Sequence, residues 1–288
     1  MKYFKILKQT FDEFLEDGAP RLSAALSYYS IFSLAPLLLI AMSLAGYFLG
    51  EDAARGKLDE QLQGSLGEAG AVAVQEMIAQ ARKPAESIWV GIAGVTMLLI
   101  GAGGVFGQLQ AALNTVWGVK QRPGRGIKGL IMDRFMSFSM VFGTGFLLLT
   151  SMLLTTALQA TAKITGSLLE LPTPIWTAVS NSLSFLVVTA LFAAIFRVLP
   201  DVEIRWKEVR AGALFTAALF VAGKFGIGWY LGRESTASPY GSAGSLALVL
   251  IWVYYSSIIL LFGAEFTQVW ARHHGADLKP SRDAVALH

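Results

Sequence analysis

An all-α, polytopic membrane protein, a bundle of six transmembrane helices, is predicted by three features of this sequence. Six apolar stretches lie at about 25–49, 88–106, 135–158, 175–199, 209–231 and 244–270. Each approaches the ~20 residues that a helix needs to cross the hydrocarbon at ~1.5 Å per residue. Hydrophobic residues make up 54% of the chain and charged residues 15%, against about 25% charged in ordinary soluble domains. The loops between the stretches alternate between rich and poor in Lys and Arg.

Taken in order, residues 1–18 carry an apolar stripe of Phe4, Leu7, Phe11, Phe14 and Leu15, with Lys2, Lys5 and Lys8 beside it. That pattern predicts an amphipathic helix on the inner face, its cations set for anionic lipid heads. It lacks the short apolar core and small-residue cleavage site of a signal peptide. In the first span Pro36 follows Ser30 and Ser33 and is a candidate hinge. Residues 50–87 hold seven acids against four Lys and Arg, which fits an outer, periplasmic segment. Leu58, Leu62, Leu66, Ala69, Val72, Met77 and Ile78 recur at roughly helical spacing. One or two amphipathic helices are expected there, capping a cavity or acting as a solvated spacer. Glycines crowd the second span, and Gly103, Gly104 and Gly107 are followed by Gln108, Gln110, Asn114 and Trp117. Such a stretch either packs closely against a neighbouring helix or unwinds beside a water-filled cavity. Residues 1–272 form one membrane domain, and 273–288 are expected to be a disordered tail.

Charge sets the orientation. Placing the N-terminus, the loops 107–134 and 197–210 and the tail on one side gives that side 16 Lys and Arg and the other 6. The positive-inside rule then makes both termini cytoplasmic. The net charge of +3 and pI near 9.1 are explained by these loops, so no nucleic-acid partner is implied.

The chemistry on offer is narrow. With no cysteine, disulfides, thiolate metal sites and thiol nucleophiles are excluded. The histidines are His273, His274 and His288, and an exposed tail pair more often meets solvent than metal. Neither a Gly-rich phosphate loop nor the spacing of a metallohydrolase is found. No enzyme activity, metal or cofactor is expected.

Charges within the spans are the candidate functional residues, because a lone central charge costs at least ~2.5–3.5 kcal/mol on insertion scales. Lys224 lies 14 residues after Arg210, ~21 Å up the fifth span, where it is an outward-reaching anchor or a ligand group. Glu265 interrupts the apolar run Leu260–Phe266 and sits seven residues before Arg272, ~10 Å from the inner face. It needs a partner or a proton; Arg21 is the expected partner and Arg197 the alternative, both being at that depth. Tyr254 and Tyr255, well inside the last span, join Gln108 and Asn114 as candidate cavity-lining residues.

These segments resemble the YihY/BrkB family of bacterial inner-membrane proteins, once described as ribonuclease BN. The resemblance is carried in order by Arg21 to Tyr29, Ser33 to Leu37, Ala112 to Trp117 and Phe196 to Pro200. It continues through Tyr240 to Gly244, Trp252 to Tyr255 and Gly263 to Glu265. It implies a six-span fold in the bacterial cytoplasmic membrane and, for some members, a link to serum resistance. The old nuclease label finds no support in the residues, which lack ligands or acid and base pairs for phosphodiester cleavage. Two functions remain. One is a carrier of lipid-like or other amphiphilic solutes that does not hydrolyse ATP. The other is a non-transporting envelope scaffold or virulence-associated factor that recruits other envelope proteins through 50–87 or 120–128; membrane lipids are expected partners in either case.

Overall fold

The computed structural model describes residues 2–81, 104–122, 173–233, 242–276, 278–281 and 284–287. Its helices there are α1 (Lys2–Glu16), α2 (Ala19–Leu49), α3 (Glu51–Ala81), α4 (104–116), α5 (Thr173–Val198), α6 (Trp206–Arg233) and α7 (Ser242–His273). Short strands follow α4 as β1 (Val119–Gln121), join α5 to α6 as β2 (Val202–Glu203), and follow α7 as β3 (Lys279–Pro280) and β4 (Ala284–Ala286). Among the described residues, Asn181–Val198 in α5 and Ala247–His273 in α7 are long and apolar enough to cross a membrane. The expected spans 25–49, 175–199, 209–231 and 244–270 fall on α2, α5, α6 and α7. The span 135–158, most of 88–106, Gly103 and residues 123–128 of the basic loop lie outside the described residues.

The corner between α1 and α2 is set by Gly18, whose φ of 65° costs any residue with a side chain about 1–2 kcal/mol. Its N–H donates to the Leu15 carbonyl at 3.1 Å, and Pro20 opens α2 where a missing N–H leaves nothing unpaired. α1 then docks on the end of α7. Ile6, Thr10 and Phe14, four residues apart, are buried; Ile6 packs with Phe266 and Val269, and Phe14 meets Phe262 edge-on at 5.5 Å. Glu13 pairs with Arg272. The adjoining face of α1 leaves Phe4 74% and Phe11 53% exposed, together with Leu15. α1 therefore has two apolar faces, one bound to α7 and one open beside Lys5 and Lys8.

α6 and α7 approach closely through small residues. A Cβ added to Gly212 would lie 1.8 Å from Thr267 Oγ1, and one on Gly263 would lie 1.9 Å from Thr216 Oγ1. The two Gly-to-Thr steps face each other in opposite order. Each threonine hydroxyl donates to the glycine carbonyl one turn back, at 2.7 Å for Thr216 and 2.6 Å for Thr267. Small residues let the backbones meet, and the hydroxyls enter the contact already satisfied. At its start α6 is capped by Glu208, which accepts from the Arg205 backbone N–H at 2.9 Å and Nε at 2.7 Å. Burial pushes the Glu208 carboxyl up, but these bonds and the charges of Arg205 and Lys207 outweigh it and hold the group below its usual range.

Residues 51–81 form one helix, where one or two were expected, and it packs along α2 and α7: Val74 and Ile78 join Ile31 and Val249, with Leu58 and Leu62 against the same cluster. Val72, on the same expected stripe, is 48% exposed. The tail, expected to be disordered, is paired. β4 lies antiparallel to β1, with Val119 opposite Ala286, and β3 antiparallel to β2, with Val202 opposite Pro280. Loop edges pair with residues 279–280 and 284–286, the Leu287 N–H donates to the Gly118 carbonyl at 2.8 Å, and Ala284 enters the main apolar core. As a result α1, the segment after α4, the α5–α6 connection, the end of α7 and the tail all meet at one end of the molecule.

Candidate functional site

Glu265 lies on α7 at this end and is 0% exposed, packed beside Leu261 and Ala264. Both of its carboxyl oxygens are buried with no hydrogen-bond donor in reach. The Gly18 corner presents Asp17 to it, and the other charges that bear on it are Glu13 and Arg272. Arg272 is already engaged by Glu13 and by Gln268 at 3.0 Å. Two ionised carboxyls offer each other only acceptors, whereas a proton on Glu265 turns the contact into a hydrogen bond donated to Asp17. Burial raises the Asp17 carboxyl above its usual range. The Glu265 bond opposes this shift, Glu13 and Glu16 add to it by like-charge repulsion, and Arg272 opposes it.

The expected cationic partners are elsewhere. Arg21 is exposed and folds its guanidinium over Gly18. Arg197 places its guanidinium 5.7 Å from the ring centre of Trp206, a cation–π contact. Shared depth along a bundle does not fix azimuth, and both arginines point to other faces. Lys224 is half-buried on α6 and belongs to neither of the ion pairs Arg205–Glu208 and Arg272–Glu13.

Asn114, expected to line a cavity, is 4% exposed and fully used. Its Nδ2 donates to Asp201 Oδ2 at 2.8 Å, and the Asp201 backbone N–H donates to its Oδ1 at 2.8 Å. Gln110 adds a donor to the same carboxylate at 3.3 Å. This latch ties α4 to the α5–α6 connection. Gln108, Tyr254 and Tyr255 are half-buried, and the Tyr255 hydroxyl lies 1.7 Å from where a Gly223 Cβ would be, against the α6 backbone. Of the candidate hinges, α2 runs on through Pro36 and α4 through Gly107, while Gly104 is the first described residue of α4 and Gly103 lies outside the described residues. A Cβ on Gly104 would lie 3.3 Å from the Tyr29 ring, so this glycine serves packing.

Sequence reasoning missed Asp17 and Asp201, each in a helix-to-helix connection where a carboxylate looks solvated. It also missed the serines of the α2–α7 seam. Ser27 donates across it to the Leu250 carbonyl at 2.9 Å, while the buried hydroxyls of Ser23 and Ser256 have no partner among the described residues. The signal for Asp17 was the run Asp17-Gly18-Ala19-Pro20, a corner motif beside a span.

Apolar helices, two of them long enough to cross a membrane and two packed through glycine and threonine, fit a helical membrane protein. The chain belongs to the virulence factor BrkB family, whose sequence model matches residues 10–288. It is 28% identical over 287 residues to a UPF0761 membrane protein of Alkalilimnicola ehrlichii, covering 96% of this chain and 61% of that protein. A UPF0761 membrane protein of Methylibium petroleiphilum is 28% identical over 262 residues, covering 90% and 60%. One of Halorhodospira halophila is 27% identical over 280 residues, covering 94% and 59%. The chain thus spans about three fifths of the length of these curated relatives. No solved structure matches it.

Proposed function

We propose that the chain is a carrier of lipid-like or other amphiphilic solutes in the bacterial inner membrane. In this reading it has six spans and cytoplasmic termini, and it catalyses no reaction of its own. One observation carries the reading: Glu265 is buried without a donor in an apolar stretch, at the end of a seam where Ser23 and Ser256 also bury unpartnered hydroxyls. Polar groups left unsatisfied inside a membrane helix are costly and mark a function. The seam between α2 and α7 replaces the glycine-rich helix end as the proposed path. The open apolar face of α1, with Lys5 and Lys8 beside it, suits contact with the inner lipid surface. The scaffold reading is favoured by one observation, the Asn114–Asp201 latch, which turns an expected cavity residue into a structural one.

The deciding test is complementation of a deletion strain's lipid profile, normalised to membrane abundance. Glu265→Gln and Ser23→Ala should accumulate yet fail to restore the profile, whereas Arg55→Gln, exposed on α3, should restore it. Full restoration by both seam variants would leave the scaffold as the better reading.

A further inference from the structure

We infer that Asp17 and Glu265 form a proton-binding site that acts as the catch holding α1 on α7: one proton shared between the carboxyls keeps the helix docked, and its loss releases it. This goes beyond the carrier reading and holds for a scaffold equally. The Gly18 corner closes α1 over the end of α7, so the carboxyl at the corner and the carboxyl in α7 share one contact. Glu265 is fully enclosed and both its oxygens lack a donor, so the ligand that completes the pair must be a donor small enough to need no opening. A proton meets that condition. Among the described residues no group of three or more acidic or histidine side chains is placed to hold a metal ion.

The charges around the pair come from each element packed there. α1 and its corner bring Glu13, Glu16 and Asp17. α7 brings Arg272, which Glu13 and Gln268 occupy. α2 contributes Arg21, turned onto Gly18, and α6 faces this part of α7 with the uncharged Gly212 and Thr216. None of these cations donates a hydrogen bond to Glu265. If both carboxyls ionise, the pair becomes two like charges in a poorly hydrated contact, and α1 is the element free to leave. Its hold on α7 is otherwise the short stripe of Ile6, Thr10 and Phe14, the Tyr3 ring stacked on Trp270 at 6.2 Å and the Glu13–Arg272 pair, whereas α6 is locked to α7 by reciprocal glycine contacts.

Single cysteines in the full chain, which has none, read the docking in lipid vesicles. Thr10→Cys reports the buried face of α1, and Lys8→Cys, exposed on the same helix, cancels the thiol's own pH dependence. The ratio of their maleimide labelling rates should rise as pH rises, about tenfold per pH unit while one proton is lost on release. In the Glu265→Gln or Asp17→Asn background the ratio should stay flat, and either variant that accumulates suffices. Infrared spectra of the wild-type protein should hold a protonated-carboxyl band that titrates over the same range. A flat ratio in the wild-type background, an unchanged rise in the neutral variants, or a wild-type spectrum without that band would overturn the proposal. Suppression of the rise by millimolar sodium or calcium at constant pH would overturn it in favour of a metal cation.

Discussion

Two carboxylate sites at the same end of this molecule differ in a way that separates architecture from function. Asp201 receives donors from Asn114 and Gln110, while its own N–H returns a bond to Asn114. Glu265 has no donor and faces a second acid. A satisfied buried polar network rigidifies what it joins, and an unsatisfied one is a cost that a structure keeps only for another purpose. The first ties α4 to the α5–α6 connection; the second sits where α1 meets α7.

The largest expected effect breaks the satisfied site. Asn114→Leu removes both bonds to Asp201, and since hydrogen bonds to charged groups are worth about 1.5–3 kcal/mol, a loss of about 3 kcal/mol is expected in detergent melting curves. Glu265→Gln should do the reverse and stabilise by about 1 kcal/mol at neutral pH, because a neutral amide replaces an acid that lacks a cation. If the Gln variant melted below the Leu variant, the contrast between the sites would be lost. Acid pH sharpens it further. The raised Asp17 group holds a proton in the folded protein that the unfolded chain releases, so its contribution is intact in acid and lost as pH rises from the ordinary aspartate value through the raised one. The lowered Glu208 group behaves oppositely: its contribution is present above the ordinary glutamate value and lost as pH falls through the folded one. Melting temperature against pH should therefore flatten just above the ordinary aspartate value in Asp17→Asn and below the ordinary glutamate value in Glu208→Gln. The smallest effect is expected at Arg21: Arg21→Gln should stay within about 0.5 kcal/mol, as exposed substitutions do. A loss comparable to that of Asn114→Leu would restore it as a partner of Glu265.

The helices α2, α5, α6 and α7 were legible because long apolar runs have few alternatives to helix. Glu265 was legible too, as the one acid in Leu260–Phe266. Its neighbour was not, because Asp17 arrives through a corner and a docked helix, and that placement depends on tertiary packing. Asn114 stood out as polar, but whether an amide faces a cavity or a carboxylate depends on Asp201, 87 residues away. The strands of two and three residues are too short for a period to register. The fold-back of α3 was hidden because an amphipathic stripe fits a lipid surface and a helical neighbour equally well.

The reciprocal glycine contacts between α6 and α7 also constrain how this end can move. Sliding one helix along the other would drive Thr216 and Thr267 into backbone, and the next register in which teeth and gaps could match lies a full turn away, about 5.4 Å. Gradual piston motion is thus forbidden, and the α6–α7 pair behaves as a fixed rail. Displacement at this end falls to the parts that ride on the rail, α1 among them.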